Sequence, residues 1–308
     1  MKKFLFVINP VSGNKSWNKY KELFHSAISD HNFIDFIMTE KPGHATHIAK
    51  NNKCLYDVIV AVGGDGTVNE VINGLEDTYP SIFGVLPIGS GNDFARTAGM
   101  TSDFSENMDL ILRTNNVKYF NTGKISFSSS NSPVLNNSSY FINALGIGFD
   151  AFVAHLSHET KYLTGFIRYF WAVLKGLLKY KALEVEGLFD GHRKISGSKI
   201  LVDIGNGKTS GGGFYLNPAA KPDDDLFDVC TAEDFSLLKI LRILPLAIKG
   251  LHINKPGIES FTFKEANINL SIGNYVHADG EVIGKDVKRI HIKLCDNRIP
   301  VITGNNIH

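Results

Sequence analysis

The 308-residue sequence has no stretch of about 18 consecutive apolar residues, the least that a bilayer-crossing helix needs. Nothing in it therefore reads as a membrane span. Cysteine is scarce: Cys54, Cys230 and Cys295 are odd in number, far apart and without Cys-x-x-Cys or histidine spacing. That pattern argues against a disulfide scaffold and a thiolate metal site, and it suits reduced thiols in a cytosol. An excess of one charge is missing as well. Lys and Arg number 32 against 31 Asp and Glu, a net charge of +1, so there is no electrostatic case for nucleic acid as a partner. The opening MKKFLFVINPVSGNKS superficially imitates a secretion signal, but its apolar run is only about six residues and no small-residue cleavage site follows. It reads as a first buried strand.

What is present is a globular chain, 43% hydrophobic and long enough for two domains. In the first third, strand-like segments (Phe4 to Asn9, Phe33 to Thr39, Val58 to Val62, Ile82 to Leu86) alternate with helical ones (Trp17 to Asp30, from about Gly43, and at Val68). Strands separated by helices predict a parallel, three-layer α/β domain whose ligands sit beyond the carboxyl ends of the strands. The unusual loops NPVSGNKS, GGDGTVNE and PIGSGNDFA fall at those ends, and Thr39 followed by EKPGHA closes another.

The stretch VAVGGDGTVNE, Val60 to Glu70, is the most pointed of these. A β-branched run ends in glycines. Thr67 then stands where a helix cap would be, with Glu70 three residues on and Gly74 where the helix would stop. A glycine turn between a buried strand and a helix N-terminus gathers backbone N–H groups and the positive dipole end, which suits phosphate. Asp65 inside that gap would repel a bare phosphate. A divalent cation or a hydroxyl awaiting deprotonation resolves the conflict; a backbone cap in a tight turn is the plainer alternative.

From about Asn121 onward short alternating segments with glycine-rich turns, among them Ala266 to Ser271 and Val276 to Ala278, predict an antiparallel β-sandwich. The tract SFSSSNSPVLNNSS, Ser126 to Ser139, reads as an exposed hairpin loop. Two helical stretches interrupt the strands, Tyr162 to Leu183 with Arg168, Lys175, Lys179 and Lys181, and Ser236 to His252 with Pro245 expected to kink it. Each is either a core helix with a wet side or a basic amphipathic helix for a membrane interface.

Several motifs fail on spacing. GNGKTSGGG contains Gly-Lys-Thr, but a Walker A loop needs glycine five residues before Gly207, where Val202 stands. No dinucleotide fingerprint follows a first strand. His155, His158 and His252 lack the spacing of a metal pair and read as structural or surface residues. Two acidic clusters are better candidates. Asp223, Asp224, Asp225 and Asp228 crowd one loop, which a solvated turn tolerates and a hard cation would use. HADGEVIG sets Asp279 and Glu281 around a glycine, as an ordinary hairpin turn or as the presentation of a general base.

Taken together, NPVSG, Thr39 with GHA, GGDGTVNE, PIGSGNDFA, GGG before NPAAKPDDD, and DGE resemble the diacylglycerol kinase and related bacterial lipid kinase family, in family order and over nearly the whole chain. The resemblance implies an N-terminal phosphofructokinase-like α/β domain over residues 1–120, with a tail from about 296 packing back on it. A β-sandwich domain over 121–295 follows, where the lipid enters, with ATP held between the two. By motif position Asn9, Pro10, Val11, Ser12, Gly13, Thr39, Gly64, Asp65, Gly66, Thr67, Val68, Asn69, Glu70 and Ser90 line the nucleotide, with Asn92 and Asp93 supporting that loop. Glu281, or alternatively Asp279, matches the proton acceptor, and Asp65 acts through Mg²⁺ or orients the hydroxyl. A second, structural Mg²⁺ falls to the carbonyl of Lys221, the side chain of Asp224 and the carbonyl of Leu226. Asp225 departs from the glycine usual there, and Ser90 from threonine. The resemblance further implies a diacylglycerol-like lipid substrate and a cytoplasmic enzyme visiting the inner membrane surface; a sphingoid, monoacylglycerol or prenol acceptor, an NAD-kinase-like enzyme and a non-catalytic sensor are the alternatives, and a homodimer is the common default for oligomeric state.

Overall fold

Continuous apolar runs build the first sheet. β1 (Phe4–Ile8) and β3 (Val58–Gly63) are buried along their whole length, as runs without alternation require when helices cover both faces of a parallel sheet. The computed structural model describes residues 2–29, 33–113, 116–130, 132, 134–159 and 165–304. Asp30 and Tyr162, expected helix limits, lie outside the described residues, as do the side chains of His158 and Arg168. The chain divides into two units, Met1–Phe120 with Asp296–His308, and Asn121–Cys295.

In the first unit the order after β1 is α1 (Ser12–Lys15), α2 (Trp17–Ile28), β2 (Ile34–Met38), α3 (His44–Asn52), β3, α4 (Asp65–Leu75), β4 (Ile82–Pro87), α5 (Asp93–Thr97), α6 (Phe104–Arg113) and β5 (Val117–Phe120). The C-terminal strand β15 (Ile299–Ile302) completes it. Sheet order is β2-β1-β3-β4-β15-β5, parallel throughout except where β5 runs against β15. Trp17 and Phe24 of α2, with Phe104, Met108 and Ile111 of α6, bury one face against Phe4, Phe6, Val58 and Val60. Each such side chain contributes roughly 1.5–3 kcal/mol on burial. On the other face α3 and α4 lie against β1 and β3.

The glycine punctuation of α4 differs from the sequence expectation. Gly64 is the N-cap and the helix starts at Asp65, so Thr67 sits inside the first turn. Its hydroxyl oxygen accepts a hydrogen bond from Asn9 Nδ2 at 3.1 Å instead of capping the helix. Gly74 does not end the helix either. A Cβ there would collide with the Thr46 carbonyl and Ala49 of α3, so glycine is what lets the two helices touch.

The second unit contains β6 (Gly123–Ser129), β7 (Asn137–Phe141), β8 (Ala144–Gly148), α7 (Phe149–Glu159), α8 (Gly165–Leu177), β9 (Leu183–Phe189), β10 (Arg193–Gly205), β11 (Phe227–Glu233), α9 (Leu237–Ile248), β12 (Ile258–Phe263), β13 (Glu265–Ala278) and β14 (Glu281–Leu294). All pairings are antiparallel, in the order β12-β11-β10-β8-β13-β14-β6-β7. β9 pairs with the first halves of β10 and β13, and β8 with their second halves. These long strands give an antiparallel, sandwich-like domain. Its core gathers Phe141, Leu145, Val185, Phe189, Val202, Phe227, Phe263 and Ile268.

Three local readings change. The Ser/Asn tract is strand at both ends, in β6 up to Ser129 and in β7 from Asn137: Ser126 pairs with Ser138 and Ile125 with Ser139, the polar hydroxyls occupying ladder positions whose backbone is satisfied by pairing. The segments expected at Ala266 to Ser271 and Val276 to Ala278 are one strand, β13, with register shifts in its middle. The helix expected to reach Leu183 ends at Leu177, and Leu183 opens β9.

Candidate active site

Four loops of the first unit meet at the carboxyl edge of its parallel sheet. Asn9, just past β1, donates from its backbone to the Val62 carbonyl at 2.9 Å and from its side chain to Thr67. Its Oδ1 accepts from the Val11 N–H at 3.2 Å, which turns the NPVSG loop. Gly13 has φ +57°, and a Cβ there would strike the Ile88 carbonyl, so this loop rests directly on the one after β4. Gly64 and Gly89 touch backbone to backbone, and a Cβ on Gly89 would run into the Gly64 Cα. Asn92, at φ +58°, closes the GSGN loop by accepting from the Gly89 N–H at 3.1 Å and donating to the Gly89 carbonyl at 2.9 Å.

The acidic residues among these loops hold backbone. Asp65 Oδ1 accepts from the Phe94 N–H at 3.1 Å, tying the start of α4 to α5. Glu70 reaches across to α3: its two oxygens accept from Gly43 and Ala45 N–H at 2.8 and 3.0 Å. That arrangement caps α3 with a full negative charge at its positive end. Asp93 is buried and pairs with Arg96 at 2.8 Å. Gly64, Asp65, Gly66, Ser12, Pro10, Thr39 and Ser90 are partly exposed and Val11 is exposed, whereas Thr67, Val68 and Asn69 turn inward. The Thr39 N–H extends the β1–β2 ladder to the Ile8 carbonyl. At α4 the N-cap residue is Gly64, which brings no side-chain cap. Unpaired N–H groups at a helix start are what an anion would engage.

In the second unit Asp279 and Gly280 form the two-residue turn between β13 and β14, with φ of +49° and +85°. Positive φ at both positions is the turn that matches the twist of paired strands. The Asp279 carboxylate is buried and accepts from three successive backbone N–H groups: Ile142 at 3.1 Å, Asn143 at 2.8 Å and Ala144 at 3.0 Å. Its own N–H donates to the Ala144 carbonyl at 2.7 Å. Asp279 therefore clamps the β7–β8 connection to the hairpin. Glu281, two residues on, is partly exposed, and its carboxylate makes no hydrogen bond with the described residues. Of the two carboxylates it is the one whose oxygens are available.

Behind this turn lies a buried polar group that spacing along the chain does not reveal. His277 Nε2 stands 2.5 Å from Asp150 Oδ2, and Tyr169 donates its hydroxyl to the other Asp150 oxygen. Asp203 accepts from Asn217 Nδ2 at 2.6 Å. The ligating atoms of Asp150, Asp203 and His277 lie within 4.8 Å of one another, a spacing that could hold a metal ion. Two carboxylates and an imidazole suit a transition metal better than Mg²⁺. Burial is the largest influence on Asp150 and His277 and opposes their charges. Their mutual attraction nevertheless leaves Asp150 below the ordinary carboxylate range and His277 above the ordinary imidazole value. The Gly280 N–H points at His277 Nδ1 at 3.1 Å, so while the turn is closed Nδ1 accepts and the ring proton faces Asp150. A polar residue amid apolar neighbours in ILVDIG and YVHA is the signal that would have pointed here.

Asp150 and Tyr169 also line an apolar cavity of about 100 Å³ walled by Val173, Phe214, Leu244 and His252 among others. Here α8 and α9 cover the sheet. Their opposite sides leave Trp171 54% and Leu238 68% exposed, together with Ile167, Leu237 and Leu241.

The acidic loop keeps its turn without the expected glycine. Asp225 adopts φ +62°; its N–H donates to Asn121 Oδ1 and its carboxylate accepts from Asn121 Nδ2, both at 3.0 Å. Aspartate tolerates the left-handed region better than most residues, and this reciprocal pair holds it there. Asp224 Oδ1 accepts from the Leu226 N–H at 3.1 Å. Burial, then the charge of Asp224, pushes the Asp228 carboxyl up to about 6. Carboxylates gathered beside turn carbonyls form a hard-oxygen donor set, which fits a Mg²⁺ ion.

Comparison with known proteins agrees with this arrangement. Residues 3–125 match the family described as the diacylglycerol kinase catalytic domain, and residues 143–295 match the YegS C-terminal NAD kinase beta sandwich-like domain. A diacylglycerol kinase of Bacillus subtilis (strain 168) is 30% identical over 292 residues, covering 92% of this chain and 91% of that protein. The crystal structure of a diacylglycerol kinase from Bacillus anthracis str. Sterne shares the fold, with TM-score 0.70 and 21% identity over 100% of this chain and 98% of the other. An NAD kinase from Archaeoglobus fulgidus, solved with ATP, has TM-score 0.53 at 14% identity over 99% and 95% of the two chains. With a relative of that identity spanning nine-tenths of both sequences, and with both family domains in order, the chain belongs to the diacylglycerol kinase family and is a lipid kinase of that family.

Proposed function

We propose that the protein transfers the γ-phosphate of ATP to the hydroxyl of a lipid, diacylglycerol yielding phosphatidate. The supporting observation is that the first unit carries a glycine-lined anion site at the carboxyl edge of its parallel sheet, while the second carries an available carboxylate, Glu281, on a hairpin of the domain that holds an apolar cavity. Asn9 to Gly13, Thr39, Gly64 to Glu70 and Ser90 form the nucleotide-binding loops. Val68, Asn69 and Glu70 act there by shaping the backbone. Asp65 orients the reacting groups from the start of α4. As the acceptor oxygen bonds to the γ-phosphorus, the bond to the bridging oxygen breaks, ADP leaves and the hydroxyl proton passes to Glu281. Mg²⁺ supplies charge neutralisation for the phosphates, and a structural Mg²⁺ would be held by Lys221, Asp224 and Leu226. The exposed apolar residues of α8 and α9 suit a membrane interface that the enzyme visits from the cytoplasm. Among the described residues no helix is long and apolar enough to cross one.

The test is phosphate transfer from labelled ATP in mixed micelles with Mg²⁺, comparing diacylglycerol, monoacylglycerol, sphingosine, undecaprenol, NAD and no acceptor. Product with diacylglycerol above all others is the expected result; product with another lipid alone replaces the acceptor, and product with NAD alone overturns the lipid reading. The loop contact gives a second expectation. Gly89→Ala forces the Gly64 and Gly89 backbones apart, a change of about 1–3 kcal/mol, and should weaken ATP binding roughly ten-fold or more. Calorimetric titration showing wild-type affinity would remove that contact from the phosphate site.

A further inference from the structure

The turn that carries Glu281 is held from behind by a chain of buried polar contacts crossing three secondary-structure elements. The Gly280 N–H, one residue before Glu281, donates to His277 Nδ1 at 3.1 Å. His277 Nε2 faces Asp150 Oδ2 at 2.5 Å, and both side chains are almost fully buried. Asp150 lies in the first turn of α7, where the helix dipole favours its charge. Tyr169, on α8, donates to the remaining Asp150 oxygen. We infer that His277 and Asp150 are positioning residues that fix the Asp279–Gly280 turn so that Glu281 meets the acceptor hydroxyl, and that Tyr169 links this brace to the wall of the apolar cavity. The inference rests on Glu281 being the proton acceptor.

Two glycines show that the brace occupies a space shaped for it. A Cβ on Gly146 of β8 would overlap His277 Nε2 and Asp150 Oδ2. Gly211, at φ +64°, lies so close beneath the Tyr169 ring that a Cβ would enter it. A buried carboxylate–imidazole pair is a weak source of stability, since well-packed apolar residues serve that purpose as well or better. What such a pair supplies is direction: each member has one permitted orientation, and the hairpin inherits it. A shift of even about 1 Å in a reacting group lowers rate steeply. The outer end of the brace faces the cavity, because Asp150 and Tyr169 line it alongside Val153, Val173 and Phe214. An acceptor whose apolar chain fills that cavity therefore presses on the same residues that orient the base.

The test compares His277→Gln, His277→Asn, Tyr169→Phe and Glu281→Gln in the full-length enzyme, reading kcat, KM for ATP and for lipid, and melting temperature. Gln keeps a donor toward Asp150 but removes the acceptor facing Gly280; Asn places an amide oxygen near the Nδ1 position. His277→Gln should lower kcat roughly ten-fold or more with KM for ATP within about two-fold, and His277→Asn should recover a part of that loss. Tyr169→Phe, which leaves the ring in place, should lower kcat by roughly three-fold or more, and it decides the matter if the His277 variants do not fold. Wild-type kcat in both His277→Gln and Tyr169→Phe, with Glu281→Gln inactive, overturns the brace and leaves the base assignment standing. An active Glu281→Gln overturns the base assignment itself.

Discussion

Glu281→Gln is expected to lower kcat by roughly 10²–10⁴-fold, the usual contribution of a positioned general base, while melting temperature and ATP affinity stay at wild-type values. The separation follows from the hairpin. The Glu281 side chain is partly exposed and its carboxylate hydrogen-bonds to none of the described residues, so removing its charge leaves no buried group without a partner. Amide replaces carboxylate at nearly constant shape, and only the capacity to take a proton is lost. Steady-state rates in mixed micelles measure the first quantity, and thermal melting with calorimetric titration the others. Turnover within a few-fold of wild type would transfer the base role to another group.

Asp279→Ala should act through the fold. Its carboxylate accepts from the N–H groups of Ile142, Asn143 and Ala144 in a buried setting, and each orphaned donor costs about 1–3 kcal/mol. Allowing for partial relaxation, a loss of roughly 3–6 kcal/mol follows, or a fall in melting temperature on the order of 10 °C for a domain of this size. Asp279→Asn retains one acceptor oxygen and should lie between the two. Calorimetric melts decide this. An unchanged melting temperature in Asp279→Ala would mean that the β7–β8 connection finds other partners, and Asp279 would return as a rival to Glu281. On the proposed reading, the two carboxylates of DGE divide into a clamp and a base by where their oxygens point.

Much of the first unit was readable in sequence because its signals are local. Strand ends, glycine clusters and helix starts lie within a dozen residues of one another, and the loops after β1, β3 and β4 meet because parallel strands bring their carboxyl ends together. Side-chain roles within those loops were less legible. Glu70 looked like the partner of a cap at Thr67, yet it caps α3, because the helix cap, Gly64, lies three residues earlier and the side chain emerges toward the neighbouring helix. The sandwich half hid its polar interior. Asp150 and His277 are 127 positions apart, and only the pairing of β8 with β13 brings them together. Asp225, a departure from the family pattern, became intelligible only once Asn121 was seen opposite it.

The position of β15 sets an order on biosynthesis. Ile299, Val301 and Ile302 are fully buried between β4 and β5, so the first sheet cannot close until all of Asn121–Cys295 has been translated. At ~5–20 residues per second, the ribosome-bound chain carries two unmated strand edges for on the order of ten seconds or longer. The domain that starts first finishes last, and a chaperone shielding those edges has that interval in which to act.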